Sequence, residues 1–238
     1  MAFTPIHVEH WERREQYRYF TREACGTYSV CVDLDLSALR GKQRYPTLLW
    51  LMTQTVNQMP EFRTALTEEG LGCFDEMHPA YTIFNPEQKT FSGIWTAYHP
   101  AYHTFLARYA ADVAKYSSST AYTPKPGRPL NSFDVSMVPW FSFTGFHLHV
   151  FGGGTHFLPI FTMGRAFASG RKQLLPLAIQ VHRAVCGEYH VGKWVELLQT
   201  KINALRRHTA APLNRPGPAR RSRRGVPSEP ALHRCGPG

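Results

Sequence analysis

The stretch IQVHRAVCGEYHVGKW, residues 179–194, gathers His182, Arg183, Cys186, Glu188 and His190 into nine positions directly after an apolar run. An imidazole on a loop behind a buried strand is placed to act as a general base, because its unperturbed pKa is about 6.5. No two of these residues stand at the spacing of a familiar catalytic pair. A second histidine signal is FHLHV, where His147 and His149 are two apart and would share one face of a strand. With His156, His182 or His190 they are candidates for a metal site; a polar strand face is the plainer reading. Ser136, in VSMVPWFSF, offers a hydroxyl that can donate to a developing oxyanion, although serines in strands are common. The chain has no phosphate loop, no GxSxG elbow and no HExxH pair.

The elements that must position these residues are legible as periodic runs. HWERREQYRYF (10–20) reads as a short helix. TYSVCVDLDLS (27–37) alternates Tyr28, Val30, Val32 and Leu34 against smaller or polar neighbours, as a strand with one buried face does. The run 45–62 has Pro46 near its start and helical apolar spacing, so it reads as a buried helix. Residues 78–95 read as two strands about the Asn85-Pro86 turn, and 100–116 as a helix with Phe105, Tyr109 and Val113 on one stripe. Residues 133–151 and 173–185 are long strand-type runs. Residues 191–207 place Trp194, Val195, Leu198, Ile202 and Leu205 on one helix face. Strands and helices interleave without a strict βαβ rhythm. The expected fold is therefore α/β in the α+β sense, a two-layer sandwich of a mixed sheet with helices packed on one face.

The 238 residues are 43% hydrophobic, enough for one core, and residues 1–205 read as a single domain. No run of about 18 apolar residues is present, and the first residues lack the basic start and apolar stretch of a secretion signal. Five scattered cysteines with no CxxC fit a reducing cytoplasm. Of the net charge of +10, eight arginines against one acid place +7 in residues 206–238. That Arg/Pro/Gly-rich tail has little to bury and is expected to be disordered. The body is only mildly basic, so neither specific nucleic-acid binding nor membrane association is expected of it.

Six segments together resemble the classical chloramphenicol acetyltransferases: WERRE (11–15), YPTLLWLMTQTVNQMPEFR (45–63), HPAYTIFNPEQKTFSGIW (78–95), VSMVPWFSF (135–143), LPIFTMGR (158–165) and LLPLAIQVH followed by AVC and YHVG (174–192). They occur in that family's order and at its spacings. The resemblance implies a homotrimer with active sites between subunits, and transfer of acetyl from acetyl-CoA to the primary 3-hydroxyl of chloramphenicol. It implies no metal and no covalent enzyme intermediate. Ser136 falls on the serine that donates to the oxyanion. Arg13 falls on the arginine of an ion pair that holds the catalytic loop, and Thr162 on a threonine that helps hold a water near the reacting centre. The drug-pocket positions fall on Tyr19, Phe20, Cys25, Phe91, Phe146, Leu148 and Ile160; Thr123 and His156 stand where the family has aromatic residues. The acyltransferase cores of the 2-oxo acid dehydrogenase complexes share the architecture.

The family's loop signature is HHxxxDG, with the second histidine as base, and the aligned string here is HRAVCGE. His182 matches the first histidine, Arg183 occupies the general-base position, Gly187 replaces the aspartate and Glu188 the glycine. An arginine cannot accept a proton near neutrality, since its pKa exceeds about 12. Glu188 is the nearest acid that can reach toward Arg13 in place of the aspartate. His182 is the one imidazole beside the base position, but adjacent strand residues face opposite ways, which turns it from the tunnel. His190 falls on a downstream histidine of the motif and reads as structural. The sequence therefore supports two readings: a chloramphenicol acetyltransferase, or an impaired or inactive homologue that keeps the trimer and the ligand pocket.

Overall fold

The structure is a computed structural model, and it describes residues 2–24, 26–39, 43–148 and 154–209. In chain order it comprises β1 (Phe3–Pro5), a 3-10 turn at Val8–His10, α1 (Arg14–Arg22), β2 (Thr27–Asp35), α2 (Arg44–Val56), a second 3-10 turn at Pro60–Phe62, β3 (Thr64–Thr67), β4 (Gly70–Phe74), β5 (His78–Asn85) and β6 (Thr90–Trp95). There follow α3 (Tyr102–Tyr116), β7 (Ser132–Met137), β8 (Ile160–Met163), β9 (Phe167–Ser169), β10 (Lys172–His182) and α4 (Glu188–Thr209). Seven strands form one mixed sheet in the order β2-β10-β8-β7-β5-β6, with β9 beside β10. The β5–β7 and β7–β8 pairs are parallel and the others antiparallel. A separate sheet, β1-β4-β3, was not anticipated from the sequence. Its strands are three to five residues long, too short to show alternation.

β10 is the longest strand. It pairs with β2 along nine residues, from Leu174↔Asp35 to His182↔Thr27. On its other side it changes partner, from β9 over Lys172–Leu174 to β8 over Leu177–Gln180. Pro176 sits in that gap. Its carbonyl accepts the Gly164 N–H at 2.9 Å on the β8 side, so the N–H that proline lacks also falls on that side, where no strand needs it. Apolar runs before and after the proline are buried without a break from Leu175 to His182.

The helix expected at 45–62 ends at Val56, and Pro60 opens the separate 3-10 turn. Within α2, Thr53 and Thr55 are fully buried; each hydroxyl donates to the carbonyl four residues back, at 2.7 Å, which removes the penalty of an unmet donor. α2 packs against both α3 and α4. The 133–151 run is not one long strand. β7 stops at Met137, and the described residues 138–148 are in neither helix nor strand. Pro139 withholds a ladder donor just beyond that end. His147 is thus not on a strand, and His149 lies outside the described residues, so the shared strand face is not formed as expected. α4 runs to Thr209, past the domain edge expected at Leu205; residues 210–238 of the expected disordered tail lie outside the described residues. No described helix is long and apolar enough to cross a membrane.

One aromatic cluster ties these layers together. Phe161 on β8 stacks on Trp194 of α4 with centroids 4.6 Å apart, Phe62 stacks on both at 6.4 and 5.7 Å, and Phe133 of β7 meets Phe161 edge-on at 5.7 Å. All four side chains are fully buried. Phe161→Ala should therefore destabilise the fold by about 3–5 kcal/mol, the usual cost of removing a buried ring. Chemical denaturation is expected to show that loss as a lower midpoint at unchanged slope.

Candidate active site

Ser136 and Thr162 are register partners on the parallel strands β7 and β8, and their hydroxyl oxygens lie 3.0 Å apart. Thr162 is buried and Ser136 half-buried. Ser136 borders two cavities. One, of about 420 Å³, is lined by Phe91, Thr123, Asp134, Leu148 and Ile160 among others, with Lys125 and Arg128 also on its wall. The other, of about 490 Å³, is lined by Tyr45, Phe84, Phe91, Tyr109, Pro139 and Trp140 among others. Ser136 lines both cavities, as do Thr82 and Phe91.

The polar wall of the smaller cavity is internally neutralised. Arg128 pairs with Asp134 at 2.9 Å, and Lys125 pairs with Asp112 at 2.6 Å while lying 4.1 Å from the centroid of the Trp95 ring. In the larger cavity the Tyr45 hydroxyl is buried without a partner, and burial raises its pKa well above the phenol range. Burial likewise raises Tyr109, to about 12. These phenols stay protonated at neutral pH and are donors, not bases. Tyr45, Trp140 and Tyr109 were not read as site residues from the sequence: Tyr45 and Tyr109 read there as helix positions, and Trp140 as part of the strand-type run.

The opening loop follows β10. The Arg183 N–H donates to the Gly26 carbonyl at 2.7 Å, extending the ladder by one residue. Side-chain alternation then sends the two neighbours opposite ways. His182 is 1% exposed, with its ring 4.9 Å from that of Phe157. Its Nδ1 accepts the Ala184 N–H at 3.2 Å, so the ring proton sits on Nε2, which is buried without a partner. A Cβ on Gly26 would stand 2.4 Å from the imidazole, which is why only glycine fits there. Arg183, by contrast, lies with its guanidinium 4.6 Å from the Tyr28 ring centroid and 5.8 Å from that of Phe20. It pairs with Glu188 at 2.5 Å. Glu188 thus turns to Arg183, not to Arg13. Arg13 instead donates from Nη2 to the Arg183 carbonyl at 2.8 Å.

Cys186 is fully buried, and burial pushes its thiol pKa far up, so it is no nucleophile. His190 accepts the Gly187 N–H on Nδ1 at 3.1 Å and faces Glu61 through Nε2 at 3.5 Å; the sequence reading gave it a structural role without naming Glu61 as its partner. Tyr19 and Phe20 of α1 pack edge to face, 5.1 Å apart, on the Arg183 side. Phe91, Leu148 and Ile160 gather instead around Ser136. The Leu148 N–H is held by Gln180 Oε1 of β10 at 3.2 Å. Phe146 packs on Phe143 and lines neither cavity. Cys25 lies outside the described residues. Arg183 lines neither of the two cavities that Ser136 borders, and the two residues share no hydrogen bond among the described residues. No group of three or more His, Cys, Asp or Glu side chains is placed to hold a metal among them either.

The mixed sheet thus carries a serine that lines two cavities, and its longest strand ends at a buried histidine followed by the Arg183 loop. The comparisons give the family. The family profile described as chloramphenicol acetyltransferase matches residues 1–199. A chloramphenicol acetyltransferase of Campylobacter coli is 45% identical over 207 residues, covering 85% of this chain and all of that protein. One from Escherichia coli is 40% identical over 204 residues, covering 83% of this chain and 93% of that protein. A solved chloramphenicol acetyltransferase structure superposes with a TM-score of 0.78 at 16% identity, covering 84% of this chain and 100% of the other. The Azotobacter vinelandii dihydrolipoamide acetyltransferase superposes at 0.59 and 14% identity, over 87% and 92% of the two chains. The chain belongs to the chloramphenicol acetyltransferase family.

The buried imidazoles make a pH prediction. Burial holds His182 below its ordinary pKa, with His156 nearby adding to the effect; His156 is lowered mainly by burial too. The unfolded chain therefore takes up protons near pH 6.5 that the folded chain refuses. Stability is complete above that pH and falls on acidification, with a slope of at most about 1.4 kcal/mol per pH unit for each histidine. Thermal unfolding between pH 7.5 and 5 should show this, and His182→Gln should flatten the slope while lowering the stability at pH 7.5.

Proposed function

We propose that this chain transfers the acetyl group of acetyl-CoA to the primary 3-hydroxyl of chloramphenicol, at a rate held down by Arg183. The observation that carries the reading is Ser136, which lines both cavities and whose hydroxyl lies 3.0 Å from that of Thr162, in a chain of this family. The pocket with Phe91, Leu148 and Ile160 suits the aromatic acceptor alcohol. The pocket with Tyr45, Tyr109 and Trp140 suits a long, thin thioester arm, and the unpartnered Tyr45 hydroxyl is a donor for its amides. The acceptor oxygen attacks the thioester carbon, the carbonyl oxygen takes the negative charge, and Ser136 Oγ donates to it. Thr162, 3.0 Å away, orients that hydroxyl and can share a water with the acceptor. The C–S bond then breaks, and CoA leaves as the thiolate, which takes a proton from water.

The acceptor's proton must go elsewhere. At the position the family's base would occupy stands a guanidinium that can only donate, so water or hydroxide takes the proton. Because Ser136 and Arg183 lie apart within one chain, the complete site is assigned to the junction of two subunits of a homotrimer, with Tyr19, Phe20 and Arg183 from one and Ser136 with its cavities from the other. This arrangement fits a cytoplasmic resistance enzyme. The Arg183–Glu188 ion pair favours a second reading, a homologue that binds both ligands and turns over negligibly.

A thiol-release assay with acetyl-CoA and chloramphenicol separates the readings. The proposal expects slow, saturable release that Ser136→Ala lowers by about 10²–10³. Arg183→His combined with Gly187→Asp and Glu188→Gly should raise it by about 10²–10⁴. Ligand binding without any Ser136-dependent release supports the second reading; equal rates in the chain and the triple variant contradict the claim that the loop is impaired.

A further inference from the structure

The smaller cavity beside Ser136 has two unlike ends. Strand register sets Ile160, Asp134, Ala80 and Trp95 in one row across β8, β7, β5 and β6, and all four line the cavity. Ser136 stands two residues further along β7, on the same face and about 6.6 Å away, two strand rises. Two cations stand at the end marked by the Asp134 row. Lys125 is fully engaged: its Nζ donates to the Trp95 carbonyl at 2.9 Å and to Asp112 at 2.6 Å, and lies 4.1 Å from the Trp95 ring centroid. Arg128 is not. Its Nε donates to the Ser132 hydroxyl at 2.8 Å and its Nη2 pairs with Asp134 at 2.9 Å, while Nη1 has no partner among the described residues. The Ser132 hydroxyl is itself held by the Pro129 carbonyl at 2.8 Å. A guanidinium presents five donors in a fixed fork, so Arg128 lines the cavity with its fork anchored on one side and the two Nη1 N–H groups uncommitted. The side chain is about half exposed, so a ligand can reach it.

We propose that Arg128 sets acceptor specificity in this cavity, donating from Nη1 to an oxygen at the end of the acceptor remote from its reacting hydroxyl. In chloramphenicol that oxygen belongs to the para-nitro group. The inference rests on the acceptor assigned above. With the reacting end at Ser136, the aromatic ring lies along β7 beside Phe91, Leu148 and Ile160, and its para substituent reaches the Asp134 row. Asp134 cannot serve a nitro group, because a carboxylate and a nitro oxygen both only accept. Its part is to hold the guanidinium in place. An apolar substituent of the same size would strip water from Nη1 and return no hydrogen bond.

The test is calorimetric titration of the full chain with chloramphenicol and with its 4-trifluoromethyl analogue, which is similar in size and electron withdrawal but a poor hydrogen-bond acceptor. The proposal expects chloramphenicol to bind about 3–10-fold tighter, the usual net effect of one hydrogen bond. In Arg128→Met the preference should vanish, and in Arg128→Lys, which keeps the charge and loses the fork, it should shrink. A general loosening of the fold would weaken both ligands and leave their ratio unmoved. Equal affinities in the unaltered chain, no binding of either ligand, or an undiminished preference in Arg128→Met overturns the proposal. If Arg128→Met does not fold, an undiminished preference in Arg128→Lys overturns it. Thiol release separates this inference from the reading it rests on. Preferential binding without Ser136-dependent release defeats the transfer reading and supports the role of Arg128; release without the preference defeats the role of Arg128 alone.

Discussion

The ladder between β10 and β2 decides what the loop can be. Nine paired residues and the further Arg183–Gly26 hydrogen bond leave no freedom of register at the strand end. A slip of one residue would turn every side chain to the other face, so His182 is committed to the core and Arg183 to the loop side. The imidazole in the core is closely packed, with Gly26 on one side and Phe157 on another. The position outside is roomy and aromatic, with Tyr28 and Phe20 as its floor. That asymmetry explains how an arginine stands at residue 183 without disturbing the fold. A flat cation stacks well on such a floor, whereas no such substitution would fit at residue 182.

The proposed chemistry is divided between two places in the chain. At the sheet centre Ser136, hydrogen-bonded to Thr162 across the β7–β8 pair, is the proposed oxyanion donor. The strand end carries Arg183, at the position proposed for the base. Preorganised donors and binding pockets survive the loss of a base and still lower the barrier, which is why an impaired member of the family is expected to retain ligand binding and slow transfer. The aromatic cluster of Phe62, Phe133, Phe161 and Trp194 connects the two places mechanically, since it holds the start of α4 against β7 and β8.

Much of this was legible in the sequence where a single period governed a long segment. β2, β5, β6, β10 and the helices α2, α3 and α4 follow from alternation or helical spacing, with Asn85-Pro86 marking a real turn, whereas the helix read across 45–62 ran through Pro60 and overshot its end at Val56. The small sheet escaped because β1, β3 and β4 are too short to carry a pattern. The run at 133–151 misled because its apolar residues continue past Pro139, where the ladder cannot. At the site, the family resemblance pointed to Ser136, Thr162 and Arg183 as candidates, but side-chain pairing could not be read. Glu188 meets Arg183 and not Arg13 in the folded chain, and the loop that places it is tied by His190 to Glu61, which is remote in sequence.

The central claim is that the loop keeps its place and lacks a proton acceptor. The pH dependence of kcat/KM for acetyl transfer to chloramphenicol tests it most directly, measured on the chain and on Arg183→His side by side. The account predicts a rate for the chain that climbs with hydroxide and shows no inflection near pH 6–7, and a histidine inflection that arises only in the variant, near an imidazole pKa of about 6.5. An inflection near pH 6–7 in the unaltered chain, at a rate comparable to the variant, would mean that another imidazole acts as base and would contradict the account.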